Sequence, residues 1–323
     1  MIPESWKIME LSQLISSLDS GISVNAEDRP ASEGEIGVLK LSAVSYGHFN
    51  PKENKVVLSE ELHRVNVSPK KNRIIISRAN TPNLVGANVY IDRDYPNLFL
   101  PDLLWQIEPK TDNFSVRWLS YLLNSTTYRI KIQNIASGSS TSMIKITKSS
   151  LLKLEIVLPS LPEQCKIAEI RGAWDDAIST LEKLITAKRK LKQGLMQQLL
   201  TGKKRFKEFE GSEWETVRLR DITTINYGKS PKTIFSVDGQ FPVYGTGGIT
   251  GYTSTHIYDG ESVIIGRKGT IDKVRYVSGK FWAIDTTYYL DCRQMVKAKW
   301  IYYFLSFTKL ELLNEASGVP SLN

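Results

Sequence analysis

Apolar residues fall at Ile167, Ile170, Trp174, Ile178, Leu181, Leu184, Ile185, Leu191, Leu195 and Leu199, mostly in steps of three and four. This spacing predicts one helix over residues 162–200 with a single buried apolar stripe. Leu161-Pro162 leads into it, and proline is tolerated in a first helical turn. Thr201-Gly202 supplies a stop, glycine being suited to a left-handed cap. Glu163 and Glu169 lie toward the positive end of the helix dipole; Lys188, Arg189, Lys190 and Lys192 lie toward the negative end. Such a helix spans about 55 Å, too long to bury its stripe against one small domain, so another long helix is expected beside it. Elsewhere, short apolar runs predict strands over Arg73–Ser77, Leu103–Ile107, Ser262–Gly266 and Thr286–Leu290. Helices are expected over Ser115–Asn124 and Lys299–Thr308.

The patterns on the two sides of the long helix repeat. Trp6, Leu11 and Leu14 recur as Trp214, Leu219 and Ile222, offset by 208 residues. Ile74-Ile75-Ile76-Ser77-Arg78 recurs as Val263-Ile264-Ile265-Gly266-Arg267, offset by 189. Trp118–Leu123 recurs at Trp300–Leu305, offset by 182, and Ala136-Ser137-Gly138 at Ala316-Ser317-Gly318, offset by 180. The order is kept and the offset only shrinks, as expected of two copies of which the first has longer loops. Solenoid arrays repeat at roughly 20–50 residues, so this is a duplicated domain. The expected organisation is a mixed α/β module over 1–160, a helical spacer over 161–205 and a second module over 206–323. Two related reading heads on one spacer suit a bipartite target, and DNA is the obvious bipartite polymer.

Composition refines this picture. The 323 residues suffice for two domains with cores of their own. No apolar run approaches the ~18 residues of a membrane span, and no signal peptide opens the chain. Cys165 and Cys292 lie in different parts of the duplication and read as free thiols, so a cytoplasmic setting is expected. The formal net charge is +8. Residues 1–160 and 211–323 carry +2 each, while residues 161–210 carry +4. Neither module is strongly basic, so tight DNA binding would need a partner that adds positive surface.

No motif for catalysis or for a cofactor survives inspection. Gly228-Lys229-Ser230 resembles the end of a phosphate-binding loop, but position 223 is Thr rather than Gly, and Pro231 would break the helix that should follow. Gly245–Gly251 is glycine-rich without dinucleotide spacing and reads as tight turns. Asp102, Glu108 and Lys110 imitate a metal-dependent nuclease signature, but the gap is short and the second copy lacks the acids. His48, His63 and His256 form no zinc-ligand spacing with either cysteine.

Taken together, the residues resemble the specificity subunits of type I restriction–modification systems. Leu158-Pro159, Leu161-Pro162-Glu163-Gln164 and Ile167-Ala168 are similar to the start of that family's conserved helix, and Leu195–Phe206 to its end. Tyr244–Tyr252, Ile264–Thr270, Phe281–Thr286 and Ala316–Leu322 resemble its target-recognition sequence. The resemblance implies two target-recognition domains, each reading half of a split double-stranded DNA sequence. It also implies helices that set the gap and bind modification (methyltransferase) subunits. Restriction subunits then join, and the specificity subunit itself catalyses nothing. The family has a second conserved helix after the second recognition domain. Here the sequence stops at Asn323, in the loop matching Ser139–Ser142, so a truncated chain is expected, with its helical stripe exposed or paired with another molecule.

Candidate DNA-contacting residues follow from these segments. Arg267, Lys268 and Thr270 combine a guanine reader, a phosphate neutraliser and a hydroxyl donor on one turn. Arg78 is their counterpart. Lys229, Tyr244, Gly247, Lys145, Ser140 and Thr141 complete the set. Ile167, Ile170, Trp174, Ile178, Leu181, Leu184, Leu191 and Leu195 are the candidate partner-binding positions. Two other readings compete with sequence-specific recognition: a self-associating helical scaffold or non-specific DNA binder, and a nuclease using Asp102, Glu108 and Lys110.

Overall fold

The computed structural model describes residues 3–137, 143–230, 238–292, 296–314 and 316–322. Its contacts divide the chain into two units, Met1–Leu181 and Glu182–Asn323.

In the first unit an antiparallel sheet orders its strands Asn88–Ile91, Arg73–Ser77, Leu104–Pro109, Ile15–Ser20. The run Ile74-Ile75-Ile76 explains why Arg73–Ser77 is interior. Ile74 and Ile76 point into the core shared with Leu119 and Leu123 of helix Val116–Asn124. Ile75 points the other way, into a cluster with Leu39, Val89 and Leu100. A β-branched run buried on both faces suits a strand covered on both sides. The covering layer on the second face is a smaller sheet, Leu98–Phe99, Gly37–Leu39, Asn54–Val57, Ala26–Glu27, in which only the first pair is parallel.

The second unit repeats this plan. Its main sheet orders Thr223–Tyr227, Thr287–Cys292, Ser262–Gly266, Arg275–Val277, again antiparallel. Val263 and Ile265 face the core with Ile301 and Leu305 of helix Ala298–Phe307. Ile264 faces Phe281 and Ala283 on the other side. The second sheet again holds one parallel pair, Phe241–Gly245 with Lys280–Ala283. The register repeats too: Ser77 pairs with Leu104, and Gly266 with Thr287. The fold is thus a duplicated mixed α/β unit with a long helix between the copies. The strands expected at Arg73–Ser77 and Ser262–Gly266 have those bounds, and the other four expected elements shift by one or two residues at one or both ends. Ser115 is the N-cap of its helix, accepting from Trp118 N at 3.2 Å.

The long helix runs Leu161–Leu199. Gly202, just past its end, has φ +71°, the conformation a left-handed cap needs. The face it buries is not the apolar stripe. Gln164, Ala168 and Gly172, four residues apart, are its buried positions. Gln164 Oε1 accepts from Ser115 N at 2.9 Å and its Nε2 donates to Pro159 O at 2.9 Å. A Cβ at Gly172 would lie 2.6 Å from Arg117 Nη2. The absence of a side chain at Gly172 leaves room for the Arg117 guanidinium. Of the predicted stripe, Ile167 packs partly on the first unit's core. Ile170, Trp174, Ile178, Leu181, Leu184, Leu191 and Leu195 are exposed, Trp174 to 67%. The stripe is present, and the described residues leave it exposed.

Candidate nucleic-acid interface

In the second unit four segments meet at one end of the sheets. Arg267 leaves strand Ser262–Gly266, its N donating to Thr286 O at 2.8 Å and its Nε to Asp285 O at 3.1 Å. Its guanidinium lies 5.7 Å from the centre of the Tyr227 ring, a distance at which the ring quadrupole attracts the cation. A Cβ on Gly266 would sit 2.1 Å from Thr270 O, so glycine is required for the turn that brings Thr270 back beside the strand. Lys268 is exposed, and Gly269, at φ +88°, donates to Pro320 O at 2.8 Å.

Two neighbouring segments converge on that turn. Gly228 approaches the backbone so closely that a Cβ would lie 2.0 Å from Ile284 O. The next residue, Lys229, donates its N to Ala283 O at 2.9 Å, and its carbonyl accepts from Trp282 Nε1 at 2.9 Å, leaving the side chain exposed. Tyr244 O accepts from Ile284 N at 3.0 Å. Tyr244 begins the hairpin turn through Gly247 and Gly248 that joins strands Phe241–Gly245 and Gly248–Thr253. Lys229, Tyr244, Gly247, Arg267, Lys268 and Thr270 are therefore brought together.

Sequence reasoning missed two members of this cluster. Arg275 Nη2 donates to Gly247 O at 2.5 Å, and Arg275 lines a cleft of about 720 Å³ with Tyr244, Gly248 and Tyr302. Tyr227 supplies the ring under Arg267. Neither belongs to a repeated motif; both act through tertiary contacts. Among the described residues, Lys229, Arg267, Lys268 and Arg275 form no ion pair. Four unneutralised cations beside exposed glycine backbone and a threonine hydroxyl can take a phosphodiester and reach a base edge.

The first unit holds a reduced version. Arg78 N donates to Leu103 O at 3.0 Å, and its carbonyl accepts from Ile146 N at 2.8 Å. Leu322 N makes the same bond to Arg267 O at 2.9 Å. Arg78 also lies over an aromatic ring, 5.7 Å from the centre of Trp105, and its Nε is buried without a partner. Lys145 pairs with Ala79 and is exposed, so it sits beside Arg78. Ser140 and Thr141 lie outside the described residues.

The nuclease-like acids are engaged otherwise. Glu108 is ion-paired with Arg73 Nε at 2.5 Å and accepts from Gln106 Nε2 at 3.0 Å. Asp102 accepts from the Ser23 hydroxyl. Lys110 hydrogen-bonds through its backbone N to Leu14 O at 2.8 Å.

Fold and site together define a class: a protein of two homologous α/β modules, each with an arginine just past an equivalent core strand and its guanidinium over an aromatic ring. The chain belongs to the type I restriction modification DNA specificity domain family, whose model matches residues 3–192 and again 211–323. It is 25% identical over 167 residues to the type I restriction enzyme EcoEI specificity subunit of Escherichia coli, covering 51% of this chain and 28% of that protein. It is 30% identical over 138 residues to the type I restriction enzyme MjaVIII specificity subunit of Methanocaldococcus jannaschii, covering 40% of this chain and 32% of that one. The chain thus spans about a third or less of the length of these relatives. The crystal structure of a type I restriction–modification S subunit from M. genitalium shares the fold, with TM-score 0.67, 19% identity, and coverage of 94% of this chain and 76% of that one.

Proposed function

We propose that this chain reads DNA sequence for a type I restriction–modification complex, each unit reading one half of a two-part target. The observation that carries this reading is the repeated arginine. Arg78 and Arg267 stand at the same register position, one residue past equivalent strands, each over an aromatic ring. A planar guanidinium held in this way suits bidentate contact with guanine O6 and N7. Lys229, Lys268, Lys145 and Arg275 add phosphate contacts that position the duplex. The exposed stripe from Ile170 to Leu195 docks modification subunits, through which the restriction subunit joins. The chain works in the cytoplasm, and the complex's methyl transfer and cleavage belong to its partners; Glu108 is already committed to Arg73.

The test is co-expression with the modification subunit, followed by base-resolution mapping of adenine methylation. A two-part methylated motif supports the reading. No methylation, together with equal affinity of the purified protein for matched and scrambled duplexes, refutes it. That second result would favour a self-associating scaffold, for which the exposed helical stripe is the motivating observation.

A further inference from the structure

Arg78 opens a closed loop in the first unit, between the paired strands Arg73–Ser77 and Asn88–Ile91. Ser77 N donates to Ala87 O and Gly86 N to Ser77 O, both at 2.8 Å, so the two ends of the loop are held together. The loop that carries Arg267, Lys268 and Thr270 joins the equivalent pair, Ser262–Gly266 and Arg275–Val277. In the first unit the tip, Thr81-Pro82-Asn83-Leu84, is a β-turn. Leu84 N donates to Thr81 O at 2.9 Å, and proline stands at the second position, where its fixed φ suits the turn. Val85 N donates to the same carbonyl at 2.9 Å, and Thr81 N donates to Asn80 Oδ1 at 2.8 Å. Helix Thr126–Ile135 holds the tip from outside: Arg129 Nη2 donates to Asn83 O at 2.9 Å, and Gln133 Nε2 to Pro82 O at 3.0 Å. Arg129 is itself held over Tyr46, 3.1 Å from the ring centre. The backbone of the tip is therefore fixed, while Thr81, Pro82 and Asn83 are exposed.

The asparagines of this loop differ in what they do. Asn80 is buried and uses its amide inside the loop, accepting from Thr81 N and donating to Ser77 Oγ. The side-chain amide of Asn83 makes no hydrogen bond among the described residues. Nor does the backbone require asparagine there, since Asn83 lacks the positive φ found at Asn72 (φ +59°). Arg78 is the one charged residue between positions 78 and 87. An uncharged tip gains little from phosphate, and a free carboxamide on fixed backbone suits a base edge.

We infer that Asn83 reads an adenine in the half of the target assigned to the first unit; this rests on the DNA-reading role proposed above. A carboxamide presents one acceptor, Oδ1, beside one donor, Nδ2. In the major groove adenine presents the complementary pair, the N6 amino donor beside the N7 acceptor. Guanine shows two acceptors there, cytosine one donor, and thymine one acceptor beside a methyl group. Because Arg129 and Gln133 already hold the tip, little ordering entropy is lost when Asn83 meets the base.

The wild-type chain, Asn83→Ala and Asn83→Asp are each co-expressed with the modification subunit, and the methylated motif is mapped. The purified complexes are then titrated with duplexes varied at each position of that motif. Asn83→Ala should relax one A·T pair, in the same half that Arg78→Ala alters. Discrimination between adenine and the other bases at that pair should fall by about 5- to 150-fold. Asn83→Asp keeps the size of the side chain but offers only acceptors, so it should lose the adenine and favour cytosine, whose N4 amino group donates. The other half of the motif stays unchanged in both variants, which reports that they fold and assemble. A motif identical to wild type in both variants overturns the inference. So does a loss of affinity spread evenly over all positions, or relaxation at a pair that is not A·T. Each of those results leaves the wild-type motif, and with it the DNA-reading proposal, standing. A wild-type chain that directs no two-part motif removes that proposal and the role of Asn83 together.

Discussion

Arg267 and Lys268 are adjacent in the chain but differently held. The Arg267 guanidinium is fixed by Asp285 O and the Tyr227 ring, whereas the Lys268 ammonium is exposed. A fixed planar donor can discriminate bases; a mobile point charge neutralises phosphate. Arg267→Ala should reduce discrimination between matched and scrambled duplexes by about 1–3 kcal/mol. Lys268→Ala should weaken binding to both alike and lower the log–log salt slope by about one. Titrations over a salt series check both, and identical effects of the two substitutions would defeat the distinction. These residues were legible because the Ile-Ile-Gly-Arg pattern repeats Ile-Ile-Ser-Arg. Arg275 was not, since its position depends on a bond to Gly247 O that no local pattern encodes. Gly228 stood out in sequence as part of an incomplete phosphate loop; its structural reason is the approach to Ile284 O. Gly21, at 1.8 Å from Leu100 O by the same measure, repeats that approach in the first unit. Backbone cannot yield as a side-chain tip can. Gly228→Ala should therefore destabilise the second unit by about 1–3 kcal/mol or more, read as a lower urea midpoint, and a midpoint unchanged from wild type would disprove the close approach.

At the scale of elements, periodicity located the long helix but not what covers it. The stripe from Ile167 to Leu195 reports a helix with an apolar face, and the second long helix expected beside it is not found among the described residues. The contact the helix makes comes mainly from Gln164, Ala168 and Gly172, with Ile167 alone of the stripe beside them, and a face of glutamine, alanine and glycine carries almost no hydropathy signal. The strands were legible because Ile74–Ile76 and Val263–Ile265 are β-branched runs buried on both faces. The smaller sheets were not, since strands such as Gly37–Leu39 and Leu98–Phe99 are too short to show alternation. The exposed stripe has a direct consequence. Trp174→Gln with Ile178→Gln removes no buried contact, so stability should change by about 0.5 kcal/mol or less. Co-purification with the modification subunit should fall sharply, because a few anchors, tryptophan prominent among them, carry most of the energy of a protein interface. Retained co-purification would move the docking surface elsewhere.

At the scale of the molecule, the duplication was legible through its buried strands and helices, which cannot drift without losing a core. The loops between them were not, because offsets shrinking from 208 to 180 residues absorb their differences. Each unit closes its own clusters: Ile74 and Ile75 anchor two in the first, Val263 and Ile264 two in the second. Each also presents its own arginine. Changes at Arg78 and Arg267 share no described partner, and substitutions at independent sites add within about 0.3–0.5 kcal/mol. Arg78→Ala should therefore relax one half of the methylated motif and leave the other half unchanged. Arg267→Ala should do the converse, and the double substitution should relax both by the sum of the single effects. Methylation mapping of the three variants alongside the wild type reads this directly. If a single substitution relaxes both halves, the two units do not read separately and the bipartite assignment fails. If neither does, Arg78 and Arg267 are structural, and base recognition moves to Arg275 and the hairpin at Gly247.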